Sequence, residues 1–200
     1  MSTTSSLGVE DLGSDAQRER RKRMLDATLA LASEGGFDAV QMRAVAEKAD
    51  VALGTLYRYF PSKIHLLVSC MAREFDGTAR RVHSTEIPGD TPAERVIHVL
   101  RHSTRALQVN PKVADALTRA FMFADESVKE EIANVGILLN GMVTQAIDPE
   151  RVGDPSPREY AVARIIGDVW LSALVAWVTG RTSARETATY IEQAVRIVLP

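Results

Sequence analysis

Four times in 200 residues the chain repeats one short pattern. These are Ser14-Asp15-Ala16-Gln17, Thr91-Pro92-Ala93-Glu94, Ser156-Pro157-Arg158-Glu159 and Ser183-Ala184-Arg185-Glu186. In each, a hydroxyl and a Glu or Gln three residues on can satisfy each other's orphan amides at the start of a helix. Two of the four also place proline at the first helical position, where its missing N–H costs nothing. Asn110-Pro111 and Ser62-Lys63 read as two further starts. No stretch alternates apolar and polar residues between hairpin turns. The chain is therefore expected to be all-α.

The pattern predicts about nine helices, at 14–34, 41–48, 52–59, 62–83, 91–109, 111–121, 125–147, 157–179 and 183–199. Gly35-Gly36 stops the first, Pro61 parts the third from the fourth, and residues 148–157 form a surface loop with three prolines. The first three helices are short and closely spaced; the rest are longer and more apolar. In the fourth, Ile64, Leu67, Val68, Met71 and Phe75 recur at helical spacing. That helix is expected to join two parts as a stiff coupler. The predicted division is a disordered tail at 1–13, a helix-turn-helix unit at 14–63, and a ligand-binding and dimerisation body at 64–200.

Residues 41–63 read QMRAVAEKADVALGTLYRYFPSK. Ala44, Val45 and Ala46 are small enough for a close helix crossing, and Asp50 falls at a turn where a left-handed residue is tolerated. Helix, tight turn and helix is the arrangement that sets a second helix into a DNA major groove. In that second helix Tyr57, Arg58 and Tyr59 are consecutive and cannot share one buried face, while Leu56 and Phe60 read as core. Gly54 allows close backbone approach. Thr55, Tyr57 and Arg58 can donate to phosphates or base edges. Lys63 opens the next helix, where free amides and its charge favour a phosphate. Arg20 and Arg21 lie in the run RERRKR at 18–23, positioned for sequence-independent phosphate contact.

These residues resemble the N-terminal DNA-binding domain of TetR-family transcriptional regulators. The likeness rests on Gly36 to Val40, on Leu-Gly-Thr-Leu-Tyr-Arg-Tyr-Phe at 53–60, and on Ser62-Lys63. The resemblance implies that Gln41 and Arg43 belong to the bracing helix, with Arg43 reaching a base. It implies a recognition surface of Leu53, Gly54, Thr55, Tyr57, Arg58 and Tyr59, with Lys63 on a phosphate. The chain departs from the pattern at Asp50, usually Gly, and at Ala52, usually Ser or Thr. The second change removes a helix cap and a phosphate contact.

In the body, Val162, Ile165, Ile166, Val169, Trp170, Ala173, Leu174 and Trp177 form a wide stripe, and Ala161, Leu171, Val175 and Val178 cover most of the remainder. A helix apolar nearly all round needs burial on two sides. One side is expected to face its own domain, the other a second copy. With Ile191, Val195 and Val198 of the last helix, Ala161, Leu171, Val175 and Val178 are assigned to a two-fold homodimer interface. The consecutive Phe121, Met122 and Phe123 point in different directions, and one at least can face a cavity between helices. Leu138, Met142, Trp170, Leu174 and Trp177 are assigned to the same lining.

More narrowly, much of the chain resembles the actinobacterial TetR-type repressors of cholesterol and steroid catabolism, clearest at 16–23, 39–63, 117–125 and 168–178. That resemblance implies release of operator DNA by the CoA thioester of a cholesterol-derived intermediate, with Arg101, Arg105 and Arg119 as candidates for its phosphates. A fatty acyl-CoA or a drug as ligand, or a helical ligand-binding dimer that binds no DNA, remain the alternatives.

Other classes fit less well. No nucleophile elbow, phosphate loop or zinc-protease motif is present. His98 and His102 share a helix face at a spacing that could ligate metal, but no further ligand lies nearby in sequence. No metal, cofactor or enzymatic activity is expected. Cys70 is the only cysteine, so no internal disulfide forms. The N-terminus lacks a signal-peptide pattern, and the apolar run at 169–178 is too short to span a bilayer. A soluble, cytoplasmic protein without a membrane partner is expected.

The net charge of −2 looks unfavourable for a nucleic-acid binder. Its distribution reverses that impression. Residues 14–63 carry nine basic and seven acidic groups, while residues 64–200 carry 15 and 17. A modestly basic foot under a mildly acidic body suits a sequence-specific regulator better than a DNA-coating protein.

Overall fold

The computed structural model describes residues 9–199. They form nine α-helices and one 3₁₀ turn, with no strand among the described residues. The α-helices are α1 (Val9–Ala39), α2 (Met42–Lys48), α3 (Leu53–Tyr59), α4 (Lys63–Ser84), α5 (Pro92–Val109), α6 (Pro111–Met122), α7 (Lys129–Ile147), α8 (Pro157–Val178) and α9 (Ala184–Val198). The 3₁₀ turn, Glu126–Val128, leads into α7.

Three of the four sequence patterns are capping boxes. Glu94, Glu159 and Glu186 each donate a backbone N–H to the hydroxyl of Thr91, Ser156 and Ser183 and accept that residue's N–H in return. The fourth pattern is overruled: α1 already runs from Val9, so Ser14 lies within the helix rather than at its start. Residues 9–13, assigned to a disordered tail, belong to α1 as well. The rest of that tail, residues 1–8, lies outside the described residues.

The predicted stop at Gly35-Gly36 is a kink rather than an end. Gly36 takes φ +68°, a conformation that carries little penalty only for glycine. A Cβ there would also come within 3.2 Å of the Asp115 carboxylate on α6. The kink thus turns the chain towards α2 at the point where α6 presses against it.

Two clusters of buried side chains divide the chain. One gathers Met24, Leu25, Val45, Leu56, Phe60, Leu66 and Leu67, and takes in Ala116, Leu117 and Ala120 of α6. The other gathers Val96, Leu100, Met142, Ile166, Trp170, Leu174, Ile191 and Val195. Helix α4 serves both: its first half fills the head core, and Phe75, Ala79 and Val82 pack on the body core. The coupler expected from sequence is present. Burial pushes the Cys70 thiol up to about 12, so at neutral pH it stays protonated within the head core.

Helix α8 is longer than the apolar run picked out in the sequence. Its 22 residues are by length and composition sufficient to cross a membrane. Here it packs against α6, α7 and α9.

Candidate nucleic-acid interface and ligand cavity

The head is assembled around the turn between α2 and α3. Val45, Ala46 and Ala49 are buried, so α2 lies close against its neighbours. Past Ala49 the chain ends α2 in a two-bond closure. Val51 N–H donates to the Ala46 carbonyl at 3.0 Å and Asp50 N–H to that of Glu47 at 3.2 Å. This geometry needs a left-handed residue between them, usually glycine. Asp50 fills the position at φ +53°, as its place in the sequence anticipated. Ala52 precedes α3 and makes no side-chain cap, so that helix depends on packing of Leu56 and Phe60.

That packing leaves a definite outer face. Gln41, Arg43, Leu53, Gly54, Tyr57 and Arg58 are exposed, with Leu53 and Tyr57 among the large apolar groups left in solvent. A Cβ built on Gly54 meets nothing within 4 Å, so the fold itself does not demand glycine there. Gln41 donates to the Asp38 carbonyl at 2.9 Å. Arg43 pairs at 3.7 Å with Glu47, both side chains being largely exposed. Thr55 is half-buried. Tyr59, expected on the recognition surface, is half-buried against the head core instead, because its ring lies on the side of α3 that carries Leu56 and Phe60.

Basic groups border this face. Arg20 is half-buried, and the Arg21 guanidinium stands 5.5 Å from the centre of the Phe60 ring. Lys63 Nζ lies 3.8 Å from the centre of the Phe37 ring, and burial lowers the ammonium's pKa, with Asp38 opposing that shift. The amides expected to be free at the start of α4 are partly taken: Ser62 Oγ accepts from Ile64 and His65 N–H.

The body is hollow. A cavity of about 590 Å³ lies between α4, α6, α7 and α8, with contributions from α5. Its wall is mainly apolar: Met71, Phe75, Leu107, Leu117, Phe121, Ile132, Leu139, Trp170 and Leu174. Glu74, Asn140, Tyr160, Arg164 and Asp168 supply polar groups. The buried Trp170 packs its ring 5.6 Å from that of Phe75 and donates Nε1–H to Thr104 Oγ1 at 2.8 Å.

Of the lining residues expected from sequence, the structure brings Phe121, Trp170 and Leu174 to this cavity. The others lie elsewhere. Met142 is fully buried in the body core, while Leu138 is half-buried off the cavity wall. Trp177 packs on the same core. Met122 and Phe123, at the end of α6, are exposed. Arg119 pairs with Asp115 at 2.8 Å and does not line the cavity. Arg101 and Arg105 line a separate cleft with Arg185 between α5 and α9, and Arg101 pairs with Glu192. They face outward because α5 turns Leu100 and Leu107 inward.

Sequence reasoning missed most of the α7 and α8 lining. The signal was available as helical stripes, Ile132-Val135-Leu139 and Tyr160-Arg164-Gly167-Leu171-Leu174. Leu171, assigned from sequence to the interface, is one of them and lines the cavity wall. Ile191 and Val195 are removed from that interface, since both are buried in the protomer's own core. Val175, Val178 and Val198 are half-buried and Ala161 is exposed. His98 and His102 are exposed, and among the described residues no cluster of three metal-ligand side chains forms.

An uncapped second helix exposed on a three-helix head, coupled by one long helix to a hollow helical body, is the architecture of a helix-turn-helix DNA-binding protein. Residues 24–70 match the family model for bacterial regulatory proteins of the tetR family, and residues 89–198 match the tetracyclin repressor-like C-terminal domain. The chain belongs to the TetR family and is a DNA-binding transcriptional repressor. It is 54% identical to the HTH-type transcriptional repressor KstR of Rhodococcus jostii over 195 residues, covering 98% of this chain and 90% of that one. A TetR transcriptional regulator from Rhodococcus sp. RHA1 superposes with a TM-score of 0.84 at 29% identity, covering 92% of this chain and 97% of the other. The FadR repressor of Thermus thermophilus, solved with lauroyl-CoA, superposes with a TM-score of 0.70 at 20% identity, over 89% of this chain and 92% of that one.

Proposed function

We propose that the protein binds its operator as a homodimer in the cytoplasm and releases it when a large apolar ligand enters the body cavity. The ligand favoured is a steroid CoA thioester. The observation that carries the reading is the cavity itself: about 590 Å³ of mostly apolar wall with a few polar groups, within the usual size of small-molecule sites. The resemblance to steroid-catabolism repressors selects a sterol nucleus, and FadR provides a member of the fold that holds an acyl-CoA. Among the described residues Arg164 is the one cation on the cavity wall, so it replaces Arg101, Arg105 and Arg119 as the candidate for the thioester's phosphates.

DNA contact is assigned to the exposed face of the head. Arg43, Leu53, Gly54, Tyr57 and Arg58 reach the groove, Thr55 assists from the edge, and Gln41, Arg20, Arg21 and Lys63 hold phosphates. Dimerisation is assigned to the side of α8 and α9 turned away from the core, where Ile165, Tyr190 and Ile197 are exposed with Ala161. Four apolar groups unpaired on adjacent helices favour a helix-on-helix contact.

The test is a titration of labelled operator complex with cholesterol-derived acyl-CoA, lauroyl-CoA and CoA alone. The steroid thioester should release DNA at the lowest concentration, and CoA alone should not. Release by lauroyl-CoA only reassigns the ligand to fatty acyl-CoA. Unchanged DNA affinity under saturating steroid thioester rules the steroid out. Tyr57→Ala should abolish preference for operator over random DNA; a variant that keeps its preference refutes the recognition assignment.

A further inference from the structure

Three side chains, one from α1, one from α4 and one from the residue that follows α6, form a row at the junction of head and body. Lys63, the first residue of α4, holds its ammonium 3.8 Å from the centre of the Phe37 ring. Phe37 follows the Gly36 kink near the end of α1. Its ring in turn meets Phe123 edge-on, with centroids 5.8 Å apart and planes at 62°. Phe123 caps the C-terminus of α6. It remains 60% exposed, so burial alone does not account for its place.

The other end of α6 grips the same kink. Lys112 Nζ donates to the Glu34 carbonyl at 2.7 Å, and Asp115 lies against Gly36. Between these two ends α6 gives Leu117, Thr118 and Phe121 to the cavity wall. One helix therefore touches the cavity along its middle and the Lys63 stack at its end.

An ammonium has three donors, so packing against a ring still leaves N–H groups for a phosphate. A lysine side chain also loses much rotamer freedom when it is fixed. A ring that already holds the ammonium removes part of that loss before DNA arrives. We propose that Phe37 is a positioning residue for the phosphate contact of Lys63, and that Phe123 ties this placement to the last turn of the cavity-lining helix. The inference rests on the reading of Lys63 as a phosphate ligand, and the experiment separates the two.

The full chain is titrated by fluorescence anisotropy against a labelled mixed-sequence duplex of about 30 bp over a series of salt concentrations, since phosphate binding is independent of sequence. Lys63→Gln tests the underlying reading: the slope of log K against log salt should fall in magnitude by about 0.9 for each phosphate no longer neutralised. An unchanged slope refutes the phosphate role of Lys63 and the proposal with it. Phe37→Leu and Phe123→Leu should each weaken binding about 2- to 5-fold in the Lys63 protein, the range a cation–π interaction supplies. Neither should weaken it further in the Lys63→Gln background, and Phe37→Tyr should restore binding. A merely structural role predicts equal weakening in both backgrounds, and that result overturns the positioning role. A Phe123→Leu chain that binds as wild type overturns the tie to α6. Thermal melts of every variant exclude weakening caused by unfolding, and the exposed Phe123 keeps the test open if Phe37→Leu does not fold.

Discussion

The α2–α3 unit and the α5–α9 body begin their helices by different means. In the body, α5, α8 and α9 each open on a closed capping box, and α6 on Asn110, whose side chain accepts from Val113 N–H at 3.2 Å. In the head, neither Gln41 nor Ala52 caps the helix it precedes. Helices of seven residues without caps do not persist alone in water. The head helices exist because Val45, Ala46, Leu56 and Phe60 are clamped against α1 and α4. Of the body helices, α5, α6, α8 and α9 carry their own start signals, while α7, preceded by Val128 without a side-chain cap, follows the 3₁₀ turn that Asp125 opens. A DNA-reading head needs a fixed surface, whereas a receptor needs a space, and the two regions divide along that line.

The largest effect should come from emptying the packed side. Leu66→Ala removes a fully buried side chain from the head core and should cost about 2–5 kcal/mol in urea unfolding. Leu171→Ala, on the wall of an existing cavity, should cost clearly less, because part of its surface already faces empty space. Equal costs at the two sites would erase the contrast between a packed head and a hollow body.

The complementary change fills the hollow. Gly136 lies on α7 at the cavity wall, and a Cβ there meets nothing within 4 Å. Gly136→Leu should therefore fold, gaining up to about 1 kcal/mol of helix propensity. It should also bind operator normally and lose its response to ligand. Operator release that persists at wild-type ligand concentrations would place the ligand outside this cavity.

How far each region could be read from sequence follows from the same contrast. The helix-turn-helix segment itself is one contiguous stretch, so Asp50 at the left-handed turn and Leu56 and Phe60 in the core were legible there. Body boundaries were legible because caps are local. What lay beyond reach was which side of an apolar helix meets which neighbour. Ile191 and Val195 look like interface residues in sequence, yet they fill the protomer's core, while Ile165 and Ile197 on the same pair of helices, α8 and α9, stay exposed. Arg101 and Arg105 could not be told from cavity cations, because only the packing of α5 decides which way its basic face turns. Ser14 failed for a different reason: its cap pattern is intact, but residues before it are already helical.

A smaller effect lies in the head's missing cap. Ala52→Ser would supply the hydroxyl that α3 lacks and should stabilise the protein by about 0.5–2 kcal/mol, read as a shift in melting temperature. The corresponding destabilisation on Ser183→Ala in α9 should be of similar size, because that hydroxyl already accepts from Glu186 N–H at 3.2 Å. No gain at Ala52 would mean that head packing leaves nothing for a cap to add.

Acid should separate the two regions more gently. Backbone N–H groups at Thr91 and Ser183 and the Ser156 hydroxyl lead the interactions that hold Glu94, Glu186 and Glu159 below the ordinary glutamate range. A carboxylate with a depressed folded-state value binds protons less readily folded than unfolded. Its support is fully present above the unfolded value, about 4.3. It is then lost as pH falls through the lower folded value. The first turns of α5, α8 and α9 should thus exchange their amide hydrogens faster relative to pH 7, after correction for intrinsic rates, once pH drops below about 4. The amides of α2 and α3, which have no carboxylate cap to protonate, should keep their protection longer. In a triple Glu→Gln variant the acid-induced change at α5, α8 and α9 should disappear. If head and body lose protection together at every pH, local capping is not what distinguishes them, and the two regions open as one cooperative unit through α4.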